Sequence, residues 1–116
     1  MAPEIEDTDA LRLWHDVCLD MVHGTEPELN NRQTAILLTI YLEPPPHSVR
    51  GLAKKLGVTK PVITRALDTM GQMGLVSRRR DEADRRVLRI QRTLEGSLYL
   101  EKLSDAVRLH LGEHVH

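Results

Sequence analysis

The segment of residues 48–73 constrains the fold more than any other part of the chain. It contains two short amphipathic stretches separated by Gly57. Two helices that cross closely need a small residue at the crossing, a glycine where the turn requires positive φ, and branched apolar side chains facing the core. Ala53, Gly57 and Ile63 meet these three requirements in order. The segment therefore predicts a helix-turn-helix.

Apolar periodicity and capping residues outline the remaining elements. Helical spacing predicts amphipathic helices at both ends of the chain, and alternation after residue 74 predicts a hairpin. The expected fold class is mostly α with a small β-hairpin wing, a winged helix-turn-helix flanked by N- and C-terminal helices, in a single domain over residues 1–116. Its expected parts are a helical N-terminal segment 9–43, a DNA-binding core 48–93 with strands 75–80 and 87–92, and a C-terminal helix 94–111. The expected N-caps are Thr8 or Asp9, Asn30 or Asn31, Ser48, and Thr59.

The first helix is expected to bury an apolar face and to expose an acidic one. The apolar residues at helical spacing are Leu11, Trp14, Val17, Cys18, Met21 and Val22.

Charge is segregated along the chain, although the formal net charge is only −1. Residues 1–30 contain eight acids and one base, whereas residues 48–93 contain twelve bases and four acids. A solvated surface normally mixes the two signs, so the central segment indicates a polyanionic partner. Aromatic residues make up only 3% of the chain, which argues against single-stranded nucleic acid bound by base stacking.

The second helix of the helix-turn-helix, residues 59–73, supplies the candidate base-reading residues. If Ile63, Leu67 and Met70 are buried at helical spacing, the opposite side faces outward and suits a major groove. Arg65 is positioned to contact a guanine edge, and Val62 and Thr64 to contact thymine methyl groups. The candidate major-groove residues are Thr59, Lys60, Pro61, Val62, Thr64 and Arg65. The candidate phosphate contacts are Ser48, Arg50 and Lys54.

Residues 31–103 resemble the MarR-type (multiple antibiotic resistance) winged-helix regulators. The resemblance rests on residues 48–60, on Gly-Leu-Val at 74–76, on the wing sequence Asp-Glu-Ala-Asp-Arg-Arg at 81–86, and on the Thr-x-x-Gly formed by Thr93 and Gly96. It implies that wing 81–86 enters the minor groove with Arg86, next to Arg85, and that Asp84 orients this arginine. Arg92 departs from the family, which usually has leucine there, and makes the strand end more basic.

The same resemblance implies a homodimer formed by helices from both ends of the chain, a pseudo-palindromic operator in double-stranded DNA, and a small-molecule effector of unknown identity. The expected function is a sequence-specific transcriptional regulator, with repression as the expected sign. The alternative is a winged-helix protein-protein interaction module whose basic face binds an acidic protein or a larger complex.

Other functional classes find little support. The chain has no nucleophile-base pair, phosphate loop or metal-ligand spacing, so we expect no enzyme, cofactor or metal site. Cys18 is expected to be a core residue rather than a redox switch, because its neighbours are acidic. His110, His114 and His116 are interpreted as a frayed polar tail. No apolar segment is long enough to span a membrane, and we expect a cytoplasmic protein.

Overall fold

Capping residues, glycines and prolines determine where the elements of this chain begin and end. The computed structural model describes residues 5–114. Within them the elements are α1 (Asp7–His23), α2 (Asn31–Leu42), α3 (Val49–Leu56), α4 (Lys60–Gln72), β1 (Val76–Arg80), β2 (Leu88–Arg92) and α5 (Leu94–His114). None of these helices is long and apolar enough to cross a membrane.

Helix α2 starts at a complete capping box, which decides between the two asparagines proposed as its cap. The Asn30 side chain accepts a hydrogen bond from the Gln33 backbone N–H at 2.8 Å, and the Gln33 side chain accepts one from the Asn30 N–H at 2.9 Å. Two of the N–H groups that a helix start leaves unpaired are thereby satisfied. The helix ends at Leu42, two residues before the first of three consecutive prolines.

The turn between α3 and α4 has the geometry that its sequence predicts. The Ser48 hydroxyl accepts the Gly51 N–H at 3.0 Å and caps α3. Gly57 ends the helix with φ +68°, a left-handed conformation that favours glycine. Ala53 and Ile63 are both buried, as a close helix crossing requires.

Thr59 is the N-cap residue of α4, but the expected side-chain cap is absent. Pro61 has no N–H to donate, and the Val62 N–H is already bonded to the Thr59 carbonyl at 3.2 Å. The Thr59 hydroxyl therefore makes no capping bond, and Thr59 is exposed.

Strands β1 and β2 form the antiparallel wing with the register Val76↔Arg92, Arg78↔Ile90 and Arg80↔Leu88. Each strand starts one residue later than predicted.

Residues 29–98 form one compact unit that includes the predicted core segment 48–93. Its interior is apolar and combines side chains of α2, α3, α4 and the wing. The buried apolar residues are Ile36, Leu37, Ile40, Leu52, Ala53, Ile63, Ala66, Leu67, Met70, Leu75, Val76 and Ile90, and His47 is the buried polar residue among them.

Residues 5–28 and 99–114 belong to a second compact unit, and here three expectations are wrong. Helix α1 starts at Asp7 after Glu6, without a side-chain cap, so neither Thr8 nor Asp9 caps it. Of its predicted apolar face only Val17 is buried, and Cys18 is exposed rather than part of a core.

The third correction concerns the histidines. Helix α5 continues through His114, and the side chains of His110 and His114 are mostly buried and bonded to carboxylates, so these residues are not a frayed tail. His116 lies outside the described residues.

Candidate nucleic-acid interface

Helix α4 divides cleanly into a buried and an exposed side. Ile63, Leu67 and Met70 are fully buried, which confirms the predicted inner face. Their burial turns the candidate base-reading side chains away from the core. Lys60, Pro61, Thr64 and Arg65 are exposed, and Val62 is half-buried at the edge of this surface.

The bases of the central segment differ in whether their charge is already paired. Lys55 is bound to Glu43 at 2.7 Å, Arg78 to Asp68 at 2.7 Å, and Arg89 lies 3.0 Å from Asp81. The bases of this segment without an ion pair or side-chain hydrogen bond to any of residues 5–114 are Arg50, Lys54, Lys60, Arg65 and Arg85. These five residues lie on α3, α4 and the wing loop. Because no carboxylate is paired with them, their charges are available to bind DNA phosphates.

The wing loop holds one arginine in a fork. Asp84 accepts the Arg86 Nε at 3.1 Å on one carboxylate oxygen and the Arg86 Nη2 at 3.2 Å on the other. The side-chain hydrogen bond from Arg86 is the main reason why the pKa of Asp84 is lowered. The arginine side chain is still 90% exposed, so the fork directs it without burying it. A guanidinium held in this way loses less freedom when it binds a ligand.

Asp81 organises the same loop and was missed as a functional residue. Its Oδ1 accepts the N–H groups of Ala83 at 2.8 Å and Asp84 at 3.1 Å, and its Oδ2 accepts the Arg89 Nε at 3.0 Å. These bonds lower its pKa, with the Arg89 bond as the largest cause. An aspartate that opens a polar loop is a common turn former, and this signal could have identified it.

The Arg92 side chain binds the C-terminal end of α2. Its Nε donates to the Ile40 carbonyl at 3.1 Å, and its guanidinium carbon lies 5.7 Å from the centre of the Tyr41 ring. A cation at a helix C-terminus is favourable because the last carbonyls there have no helical partner. Arg92, which was predicted to make the end of the strand more basic, therefore also binds the C-terminal carbonyls of α2.

The Thr-x-x-Gly motif joins the wing to α5. The Thr93 hydroxyl donates to the Gly74 carbonyl at 2.7 Å and accepts the Gly96 N–H at 3.0 Å. The Tyr41 hydroxyl accepts the Thr93 N–H at 2.8 Å, a contact that sequence reasoning did not anticipate. The motif thus fixes where the second strand of the wing ends and α5 begins.

Arg32 is a further cation that sequence reasoning missed. It lies in the first turn of α2, is exposed, and lines one shallow depression together with Val62 and Arg65 of α4. No carboxylate in the described chain pairs with it. Only the packing of α2 against α4 brings it to this surface.

Comparison with known proteins gives one family and one fold. The model of the MarR family matches residues 29–88. Transcriptional regulator Tm0710 from Thermotoga maritima is 23% identical with a TM-score of 0.75, over 90% of this chain and 70% of that one. RV1404 from Mycobacterium tuberculosis is 19% identical with a TM-score of 0.74, over 95% and 80%. S. aureus MepR in a DNA complex is 20% identical with a TM-score of 0.66, over 91% and 78%. These likenesses confirm the predicted winged-helix fold class.

Proposed function

The chain belongs to the MarR family, and on that premise we propose that it is a sequence-specific regulator of transcription that binds double-stranded DNA and acts as a repressor. The observation that carries the proposal is the set of unpaired cations on α3, α4 and the wing loop, next to an exposed outer face of α4. S. aureus MepR, which has the same fold, forms a complex with DNA.

The proposed contacts divide between two grooves and the backbone. Helix α4 enters the major groove, where Arg65, Val62 and Thr64 face the bases while Thr59, Lys60 and Pro61 lie at the rim. The wing places Arg86 and Arg85 in the minor groove, whose negative potential attracts arginine where A·T pairs narrow it. Asp84 holds Arg86 in position. Ser48, Arg50 and Lys54 bind the phosphates, and we add Arg32 to them because it is exposed and lies beside Arg65.

If Arg65 contacts a base, its replacement should reduce the preference of the protein for the operator sequence over random DNA. Arg65→Ala is expected to weaken binding to the preferred operator by about 1 to 3 kcal/mol and to random DNA by much less, because a base contact distinguishes sequences. The measurement is a fluorescence titration of both duplexes at one salt concentration. Arg32→Ala removes the same charge from a proposed phosphate contact and should weaken both duplexes alike. Equal losses on the two duplexes for Arg65→Ala would refute its assignment as a base reader.

We also propose that the chain is a homodimer through its terminal helices. Leu11, Trp14, Cys18 and Val22 lie on one side of α1, and the side chains of Leu11 and Trp14 are 74% and 55% exposed. An exposed row of large apolar side chains on a helix is typical of an interaction surface. A symmetric pair would cover it and would present two α4 helices to a pseudo-palindromic operator.

This assembly predicts a mass near twice the 13.2 kDa of the chain in sedimentation. The double substitution Leu11→Glu with Trp14→Glu is expected to produce monomers, because it places charges where apolar groups would meet. Both side chains are exposed, so the change should leave the helix content unchanged. Arg12→Glu, on the polar side of α1, is the matched control and should remain dimeric. A wild-type monomer at high concentration would exclude the proposed dimer.

A further inference from the structure

The second compact unit contains a cluster of imidazole and carboxylate groups between α1 and α5. Asp16 and Asp20 are four residues apart on α1, and His110 and His114 are four residues apart on α5, so each pair lies on one side of its helix. Glu113, from the turn after His110, completes the cluster. The cluster takes no part in the proposed DNA contacts.

Three of these residues have the geometry of metal ligands. One donor atom from each of Asp16, His110 and Glu113 lies within 4.8 Å of the other two. The His110 Nδ1 is 3.0 Å from the Glu113 Oε2 and 3.8 Å from the Asp16 Oδ2. Ligand atoms in a tetrahedral zinc site are about 3.3 Å apart, given bonds of about 2.0 to 2.1 Å. The observed separations bracket that value, so small side-chain rotations would complete the site.

The two remaining residues occupy the positions of supporting groups. The Nε2 of His110, the ring nitrogen opposite the one facing Glu113, lies 2.6 Å from the Asp20 carboxylate. Histidines that bind metals usually donate their second N–H to a carboxylate in this way, which fixes the ring and its tautomer. His114 lies 2.9 Å from the Asp16 carboxylate and holds that side chain in the same manner.

The electrostatic environment favours a cation at this point. The carboxylates of Asp16, Asp20 and Glu113 lie 3.8, 2.6 and 3.0 Å from ring nitrogens of His110. The side chain of His110 is only 13% exposed. A divalent ion at the Nδ1 would occupy the same negative environment while the Asp20 bond is retained.

We propose that Asp16, His110 and Glu113 bind one divalent transition metal ion, with zinc as the ion of choice. An imidazole with two carboxylates suits zinc better than calcium or magnesium, which prefer oxygen alone. Three protein ligands leave a fourth position for water, or for His114 after rotation of its side chain. The sequence analysis expected no metal site. The proposed site differs from that expectation, and its ligands come from both ends of the chain.

The test is a zinc titration of the full chain, stripped of metal beforehand, in competition with a chromogenic chelator. The expected result is one zinc per chain, with an affinity reduced at least tenfold by Glu113→Gln and by Asp16→Asn. Asp20→Ala removes only the supporting hydrogen bond and should reduce the affinity by about 10- to 100-fold. Zinc should also raise the unfolding temperature of the wild type and not that of Glu113→Gln, since a ligand stabilises the state that binds it.

Three control variants separate the cluster from other zinc-binding groups. Cys18→Ser, His23→Gln and His116→Gln should each retain wild-type zinc affinity. Glu113 is exposed near the end of α5, so its substitution should leave the fold intact even if changes at His110 do not. The proposal is overturned if the wild type takes up no zinc, if Glu113→Gln and Asp16→Asn bind as tightly as the wild type, or if binding is lost only in a control.

Discussion

Raising the salt concentration from about 50 mM to about 200 mM is expected to weaken operator binding by about 10³- to 10⁵-fold, although the chain has a formal net charge of −1. The reason is the release of counterions from each neutralised phosphate. The proposed phosphate-binding cations Arg32, Arg50 and Lys54 are exposed and have no ion-pair partner within the described chain, so the proposed dimer would present six of them. That number falls in the range of about 6 to 10 contacts for which such losses are known.

Replacement of Arg50 and Lys54 by alanine isolates this effect. Four phosphate contacts per dimer would be lost, and the slope of log affinity against log salt should become shallower by about 3.6, at about 0.9 per contact. The preferred sequence should not change, because phosphate contacts position a protein without reading bases. Titrations at several salt concentrations measure both quantities.

Lys55→Ala is the matched control for this experiment. It removes the same charge from α3, but Lys55 is already paired with Glu43 at 2.7 Å, so its effect on the slope should be clearly smaller than that of Lys54→Ala. A slope near zero for the wild type would contradict the DNA proposal. It would favour the alternative function, in which the basic face binds an acidic protein.

Local rules were sufficient to predict most of the fold. Ser48 caps α3 and Gly57 ends it in the left-handed region because these effects act within one turn of the chain. Periodicity likewise identified the buried side of α4. Periodicity was not sufficient for α1, because an apolar row shows which residues share a side but not what covers them. Leu11 and Trp14 therefore form such a row and remain exposed.

In the candidate site, too, local sequence patterns predicted some features, whereas contacts between residues far apart in the sequence could not be predicted. Sequence reasoning could identify the basic segment, but it could not tell which bases are paired, since Arg78 meets Asp68 through packing of the wing on α4. Arg92 reaches the Ile40 carbonyl across 52 positions of sequence, so the sequence could not show that its guanidinium binds the end of α2. His110 was assigned to a tail because its partner Asp20 lies 90 positions away.

Gly96→Ala is expected to destabilise the protein by about 3 kcal/mol. A Cβ at this position would overlap the Tyr41 hydroxyl and the Leu75 backbone carbonyl. The carbonyl belongs to the main chain at the start of the wing and cannot rotate away. The hydroxyl is held by its bond to the Thr93 N–H. The unfolding temperature should fall by roughly 10 °C, as measured by thermal and urea denaturation followed by circular dichroism.

Gly112→Ala, in the same helix, provides a control of opposite sign. A Cβ there would meet no atom within 4 Å, so the only effect is the better helix propensity of alanine, which should stabilise the protein by up to about 0.5 kcal/mol. Because that gain in propensity is available at both positions, the difference between the two variants measures the cost of the contact at Gly96. If Gly96→Ala were as stable as Gly112→Ala, α5 could not approach Leu75 as closely as described, and the Thr-x-x-Gly motif would need another explanation.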